Sequence, residues 1–188
     1  MLPDIQLSVN DSDPNARRFE ALFREHHRAV LGYALRRTNP TVADDVVAET
    51  FLVCWRRLDD VPADARPWLF GVARRCLANS QRGAARRGAL ADRVGAATAE
   101  DRGRDPGDVA GDREAIQAAF AALSENDREA LALVAWEDLD TRAAARAAGC
   151  SRAAFAVRLH RARRRLAGRL AALEDEPRNG PSIVREAT

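Results

Sequence analysis

Nine arginines fall between Arg142 and Arg169, at positions 142, 146, 152, 158, 161, 163, 164, 165 and 169, with no aspartate or glutamate among them. Such a stretch cannot neutralise itself, so its natural partner is a polyanion, and DNA is the foremost one. A charged helix face that is merely solvated normally mixes signs; this one does not. The same stretch contains Gly149-Cys150-Ser151. Glycine permits a left-handed turn and serine caps the helix after it, so the segment predicts two short helices in helix-turn-helix geometry. No catalytic set accompanies it: no serine or cysteine has a histidine base in sequence context, and no glycine-rich phosphate loop occurs. Cys54, Cys76 and Cys150 are far apart and odd in number, which argues against a disulfide framework and leaves no C-x-x-C metal site. His26, His27 and His160 have no cysteine or carboxylate at ligand spacing. The expectation is a binding protein that is not an enzyme, with no cofactor and no metal.

The elements that must position these arginines are helical. Of 188 residues 46% are hydrophobic and 31% charged, enough to bury a core. All 30 basic residues are arginine, and the net charge is only +2, so what matters is how charge is distributed. With 11 glycines, 8 prolines and modest valine, isoleucine and tyrosine, the composition predicts an all-α fold. No apolar run approaches the ~20 residues that span a bilayer. The segment from Met1 to Asp13 carries Asp4, Asp11 and Asp13 without an early basic residue, unlike a signal peptide. A soluble, cytoplasmic protein is expected.

Residues 1–15 read as a flexible arm. From Arg17 the spacing of Phe19, Leu22, Phe23, Val30 and Ala34 predicts a helix of about five turns. Thr38-Asn39-Pro40-Thr41 breaks it. A second helix has Val42, Val46, Val47, Phe51, Trp55 and Leu58 inward and Asp44, Asp45, Glu49, Arg56 and Arg57 outward, its acids early and its arginines late, as the helix dipole favours. A third, from Pro67 to about Arg87, turns basic toward its end. Residues 88–111 are aperiodic and glycine-containing, a flexible linker between two small helical domains, 16–87 and 112–173, each expected to keep its own core. Ser124 caps one helix of the second domain, Asp140 or Thr141 the next, and Ser151 the last, which runs to about Leu173. Residues 174–188 form a polar tail.

Leu123-Ser124-Glu125-Asn126-Asp127-Arg128-Glu129-Ala130-Leu131, followed by Gly149-Cys150-Ser151 and Arg158-Leu159-His160-Arg161-Ala162-Arg163, resembles region 4 of extracytoplasmic-function sigma factors of the sigma-70 family. The first half agrees. Ala43-Asp44-Asp45-Val46-Val47-Ala48-Glu49-Thr50-Phe51 with Trp55 resembles region 2.2, and Arg66-Pro67-Trp68-Leu69-Phe70 with Ala73-Arg74 resembles regions 2.3 to 2.4. The resemblance implies an alternative sigma factor that binds core RNA polymerase, through clamp helices of the largest subunit and the flap of the second-largest, and directs it to promoter DNA. An anti-sigma factor is a common partner of the family.

By the same resemblance, Asp44, Asp45, Ala48, Glu49, Phe51 and Arg56 contact polymerase. Asp60, Val61, Ala63, Asp64, Arg66, Arg74, Arg75, Asn79, Arg82 and Arg86 serve the −10 element, where a base leaves the stack at a cost of a few kcal/mol that a pocket and basic groove must offset. Trp68 and Phe70 read as core rather than as base platforms. The −35 duplex falls to Arg152, Ala153, Ala154, Ala156, Val157, Arg158, Arg161, Arg164 and Arg165. Helical periodicity puts Phe155, Leu159, Ala162 and Leu166 inward and leaves Arg158 for bases and Arg164 for phosphate. The chain departs from the family at Ala156-Val157, where lysine-serine is usual, at Ala143 and Ala144, where glutamate and isoleucine are expected, and at Ala48, where glutamine is common. Two other functions compete: a helix-turn-helix regulator that binds duplex DNA without directing polymerase, and a scaffold whose basic helix binds RNA or acidic protein.

Overall fold

The computed structural model describes residues 13–92 and 110–175, with side chains over 13–86 and 116–172. All regular structure among them is helical: α1 (Pro14–Leu35), α2 (Pro40–Arg56), a 3-10 turn (Leu58–Asp60), α3 (Ala65–Asp92), α4 (Ala110–Ala121), α5 (Glu125–Ala135), α6 (Thr141–Ala148) and α7 (Arg152–Asp175). The expected linker and tail fall largely on residues 93–109 and 176–188, outside the described residues, as do residues 1–12 of the expected arm.

Local chemistry explains most boundaries. The Asp13 carboxylate accepts from the Asn15 amide at 2.9 Å with Pro14 at the first helical position, so α1 begins three residues before the expected Arg17. Asn39 caps α2 in the same way through the Val42 amide (3.0 Å), again followed by proline. Ser124 Oγ accepts from the Asp127 amide at 3.2 Å and Asp140 from the Ala143 amide at 2.7 Å, starting α5 and α6. Asp140, rather than Thr141, is the cap. Gly149 ends α6 at φ 69°, in the left-handed region where a side chain is strained, and Ser151 Oγ accepts from the Ala154 amide at 3.2 Å to start α7.

Helices α1, α2 and α3 form a bundle around Val30, Tyr33, Val46, Phe51, Leu69 and Phe70, all at least 97% buried. Helices α4 to α7 pack around Leu133, Phe155, Leu159 and a series of alanines. The two halves do not keep separate cores, contrary to the expectation from their size: one continuous cluster of buried residues runs from Val30 to Leu159. The join is α6 against α3. Ala143, Ala144, Ala145, Ala147 and Ala148 are all buried, so this short helix approaches its neighbours on every side but one. Gly71 on α3 makes room for it; a Cβ there would sit 3.3 Å from the Ala147 carbonyl oxygen.

A polar cluster closes the opposite edge of the join. Glu137, in the turn after α5 and 1% exposed, takes Arg36 at 2.5 Å and Arg37 at 3.0 Å. Arg37 also reaches Glu129 at 2.8 Å, and Tyr33 Oη donates to the same carboxylate at 2.7 Å. The Arg37 guanidinium lies 3.6 Å over the Tyr33 ring, whose other neighbour is the stacked ring of Phe70 at 5.0 Å. Burial, then Glu129, pushes the Tyr33 phenol far above its ordinary value. Burial works against the charge on Arg37, but Tyr33, Glu129 and Glu137 outweigh it and hold the guanidinium protonated.

Candidate nucleic-acid interface

Helix α7 divides cleanly. Phe155, Leu159 and Ala162 are buried against α5 and α6, while Arg152, Ala153, Ala154, Ala156, Val157, Arg161, Arg163, Arg164 and Arg165 are exposed and Arg158 is half-buried. Leu166, expected inward, is half-buried. Arg165 pairs with Asp127, a buried carboxylate in the first turn of α5. Among the described residues, Arg152, Arg158, Arg161, Arg163 and Arg164 have no carboxylate within 4.0 Å. A face of unpaired guanidinium groups on the second helix of a helix-turn-helix has the form needed to enter a major groove and grip its phosphates. An open depression lies along it, lined by Asp127, Ala153, Ala154, Val157, Arg158 and Arg161.

The residues expected at the −10 element do not share one surface. Arg75, Asn79, Arg82 and Arg86 stand at helical spacing on one exposed ridge of α3, with Arg82 donating to the Asn79 side chain at 2.6 Å. Asp60, Ala63 and Asp64 are exposed in the loop before α3, and Asp60 pairs with Arg57 at 2.9 Å. Arg74 and Asp64 are instead engaged by the other half: Arg74 donates to the Ala148 carbonyl at 3.2 Å, and Asp64 pairs with Arg146. Arg66 is half-buried, 5.5 Å over the Phe70 ring. Val61 corrects the expectation. Its side chain is 4% exposed and belongs to the core, with its carbonyl held by Arg18 at 2.9 Å, so it has no surface to offer a base.

On α2 the residues expected to meet polymerase are mostly outward: Asp44, Asp45, Ala48, Glu49 and Arg56 are exposed, and none of the three acids pairs with a described cation. Phe51 is a second correction. It is 3% exposed and packs edge-on to Phe23 at 4.7 Å and to Phe19 at 6.3 Å, so it supports the face from beneath. Trp55, read as inward, is 44% exposed, and Leu52 beside it is 45% exposed. At four and seven residues from Ala48, these two continue its outward stripe. Phe70 is fully buried and Trp68 half-buried, as core residues.

Burial pushes the Cys54 and Cys76 thiols up, away from the reactive thiolate form. Among the described residues no three histidine, cysteine or acidic side chains stand close enough together to hold a metal ion, and no helix is long and apolar enough to cross a membrane.

Comparison with known proteins identifies both halves. The family model "Sigma-70 region 2" matches residues 22–87, and "Sigma-70, region 4" matches residues 113–166. The ECF RNA polymerase sigma factor SigL of Mycobacterium tuberculosis is 33% identical over 150 residues, covering 78% of this chain and 85% of SigL. Among solved structures, the sigma factor RpoE of Bartonella quintana, in complex with the anti-sigma factor NepR, superposes with a TM-score of 0.65 at 23% identity, over 82% of this chain and 98% of RpoE. CnrH, in complex with the cytosolic domain of CnrY, gives 0.54 at 26% identity, over 86% and 91% of the two chains.

Proposed function

This chain belongs to the extracytoplasmic-function RNA polymerase sigma factors, and on that footing we propose which surfaces meet polymerase and which meet the promoter. It is an alternative sigma factor, a transcription initiation factor that acts by binding rather than by catalysis. Core polymerase takes the exposed face of α2: Asp44, Asp45 and Glu49 meet cationic side chains on the clamp helices of the largest subunit, with Leu52 and Trp55 as apolar anchors. The flap of the second-largest subunit takes the far half, where Ile116 and Trp136 are exposed and Phe120 lies 5.1 Å from the Trp136 ring. The −10 element lies along Arg75, Asn79, Arg82 and Arg86, beside the loop at Asp60, Ala63 and Asp64. The −35 duplex lies on α7. An anti-sigma factor holds the protein in reserve, in the cytoplasm with the polymerase it serves.

The division of exposed charge carries this assignment: among the described residues, an acidic stripe on α2 without cationic partners and an arginine face on α7 in which Arg165 alone is paired, on opposite halves of one chain. Arg74 and Asp64 are both occupied by the α6 end of the other half, so full use of the −10 surface requires the halves to part.

Run-off transcription with core polymerase on genomic promoters, alongside a pull-down of core, tests the proposal. The Asp45→Arg/Glu49→Arg double variant is expected to lose at least about tenfold in core affinity, as for like charges facing each other across an interface, with helicity unchanged because both residues are exposed. Normal affinity in that variant would sink the α2 assignment. Duplex binding without polymerase-dependent transcripts would instead favour a regulator that works alone.

A further inference from the structure

The outward face of α7 is not uniformly cationic. Over its first two turns it presents Ala153, Ala154, Ala156 and Val157, and Val157 is 49% exposed. A branched apolar side chain gains nothing from water at such a place, and β-branching does not favour a helix. Nothing among the described residues covers it. Its surroundings say what kind of surface would. Val157 lines the same open depression as Ala153, Ala154, Arg158, Arg161 and the buried Asp127, whose carboxylate Arg165 holds, so it sits beside the guanidinium groups of Arg158 and Arg161 on the part of the helix that enters a major groove in helix-turn-helix proteins. Ala153 lies one turn before Val157 on the same ridge, and its methyl side chain leaves space for a small group to come between the two.

The major-groove edges of the four bases offer donors, acceptors and a single apolar group, the C5-methyl of thymine. Valine has neither a donor nor an acceptor, so it can distinguish bases there only through that methyl.

We propose that Val157, with Ala153 beside it, reads the C5-methyl group of a thymine in the −35 element, next to the base read by Arg158. This rests on α7 being the −35 helix. The contact selects thymine by burying a methyl group, where a polar side chain at the same position would select by hydrogen bonding. It makes the protein sensitive to the methyl itself, independent of base pairing.

The test uses holoenzyme, the full chain with core polymerase. Duplexes randomised across both promoter elements are selected for binding, and the winning sequence is resynthesised with each −35 thymine replaced singly by deoxyuridine, which removes only the methyl. At one or two adjacent positions deoxyuridine is expected to weaken binding about fourfold, the worth of one buried methyl group. Val157→Ser, an exposed substitution that leaves the core untouched, should lose the thymine preference at those positions and become indifferent to deoxyuridine there. It should keep the preference at the Arg158 position. The proposal is overturned if every −35 thymine tolerates deoxyuridine, if no thymine is selected, or if Val157→Ser retains the wild-type sensitivity. Selection of no −35 sequence at all would remove the −35 assignment of α7 as well, a separate and recognisable failure.

Discussion

The two halves of the molecule fill their interiors differently. Among the described residues, four of the seventeen buried apolar residues in α1–α3 and the segments between them are alanine, whereas in the second half nine of fourteen are. The first bundle closes on large rings and branched chains. The second leaves less apolar area per residue to remove from water, and stability scales with that area. What it gains is closeness: an alanine helix lets the backbones of α3 and α6 approach, with Gly71 completing the fit. The second half is therefore the more dependent partner. It borrows part of its core from the first, and the polar cluster around Glu137 secures the loan.

The sharpest way to break this contrast is Phe155→Ala. Phe155 is fully buried and is the largest side chain in the second interior. Its loss should cost about 3–5 kcal/mol. Hydrogen exchange should show α5–α7 losing protection well before α1–α3. Equal loss in both halves would mean that the molecule unfolds as one unit and that the asymmetry has no energetic meaning.

A smaller effect, confined to the join, is expected from Glu137→Ala. It removes a buried carboxylate shared by two arginines, one of them partly exposed, and should cost about 1.5–3 kcal/mol, the range for hydrogen bonds to charged groups. Small-angle scattering should report a larger radius with helicity retained. An unchanged radius would show that the α3–α6 contact holds the halves together without the ion cluster.

Tyr33 offers a readout of the same edge, because it is the chain's single tyrosine. Burial, then Glu129, raises its folded value above that of an exposed phenol. The stability it contributes is fully present below the unfolded value of about 10 and is lost as the pH rises from there toward the folded value. In the closed protein tyrosinate absorbance should appear only well above the ordinary range, together with opening. In Glu137→Ala it should move back toward the ordinary value of about 10 to the extent that the join opens and exposes the ring, since burial is the main cause of the shift. Ordinary titration in the wild type would mean that the cluster is open in solution. The smallest effect belongs to Ser124→Ala, the cap of α5, expected at about 1 kcal/mol. A thermal melt checks it, and a loss much above that would show the second half to be more fragile than its core implies.

Much of this architecture was legible in local signals. Ser124, Asp140, Gly149 and Ser151 mark helix ends through chemistry that lies within four residues, and the arginine face of α7 follows from spacing. The shared core was not legible. An eight-residue helix whose apolar face is made of five alanines gives no clear sign of burial, since alanine suits surface and interior alike. The contact between Tyr33 and Glu129 joins residues 96 apart, which no local pattern reports. Phe51 and Trp55, one turn apart, share a periodicity, yet one lies at the centre of the bundle and the other at its rim. Val61 sits in a loop whose polar neighbours concealed its burial.

The hydrogen bond from Arg74 to the Ala148 carbonyl and the pair between Asp64 and Arg146 set two uses of the same side chains against each other. A group cannot hold promoter and the neighbouring half at once. Any ligand that needs Arg74 and Asp64 free binds the parted form better than the closed one, so it shifts the balance toward parting by the ratio of those two affinities. Thermodynamic reciprocity then requires the converse with the same factor: whatever draws α6 away raises affinity for a ligand of Arg74 and Asp64, the proposed −10 surface, to that extent. On the proposed assignment, polymerase taking the second half and DNA taking the first would thereby assist each other without touching, through the loss of these two contacts.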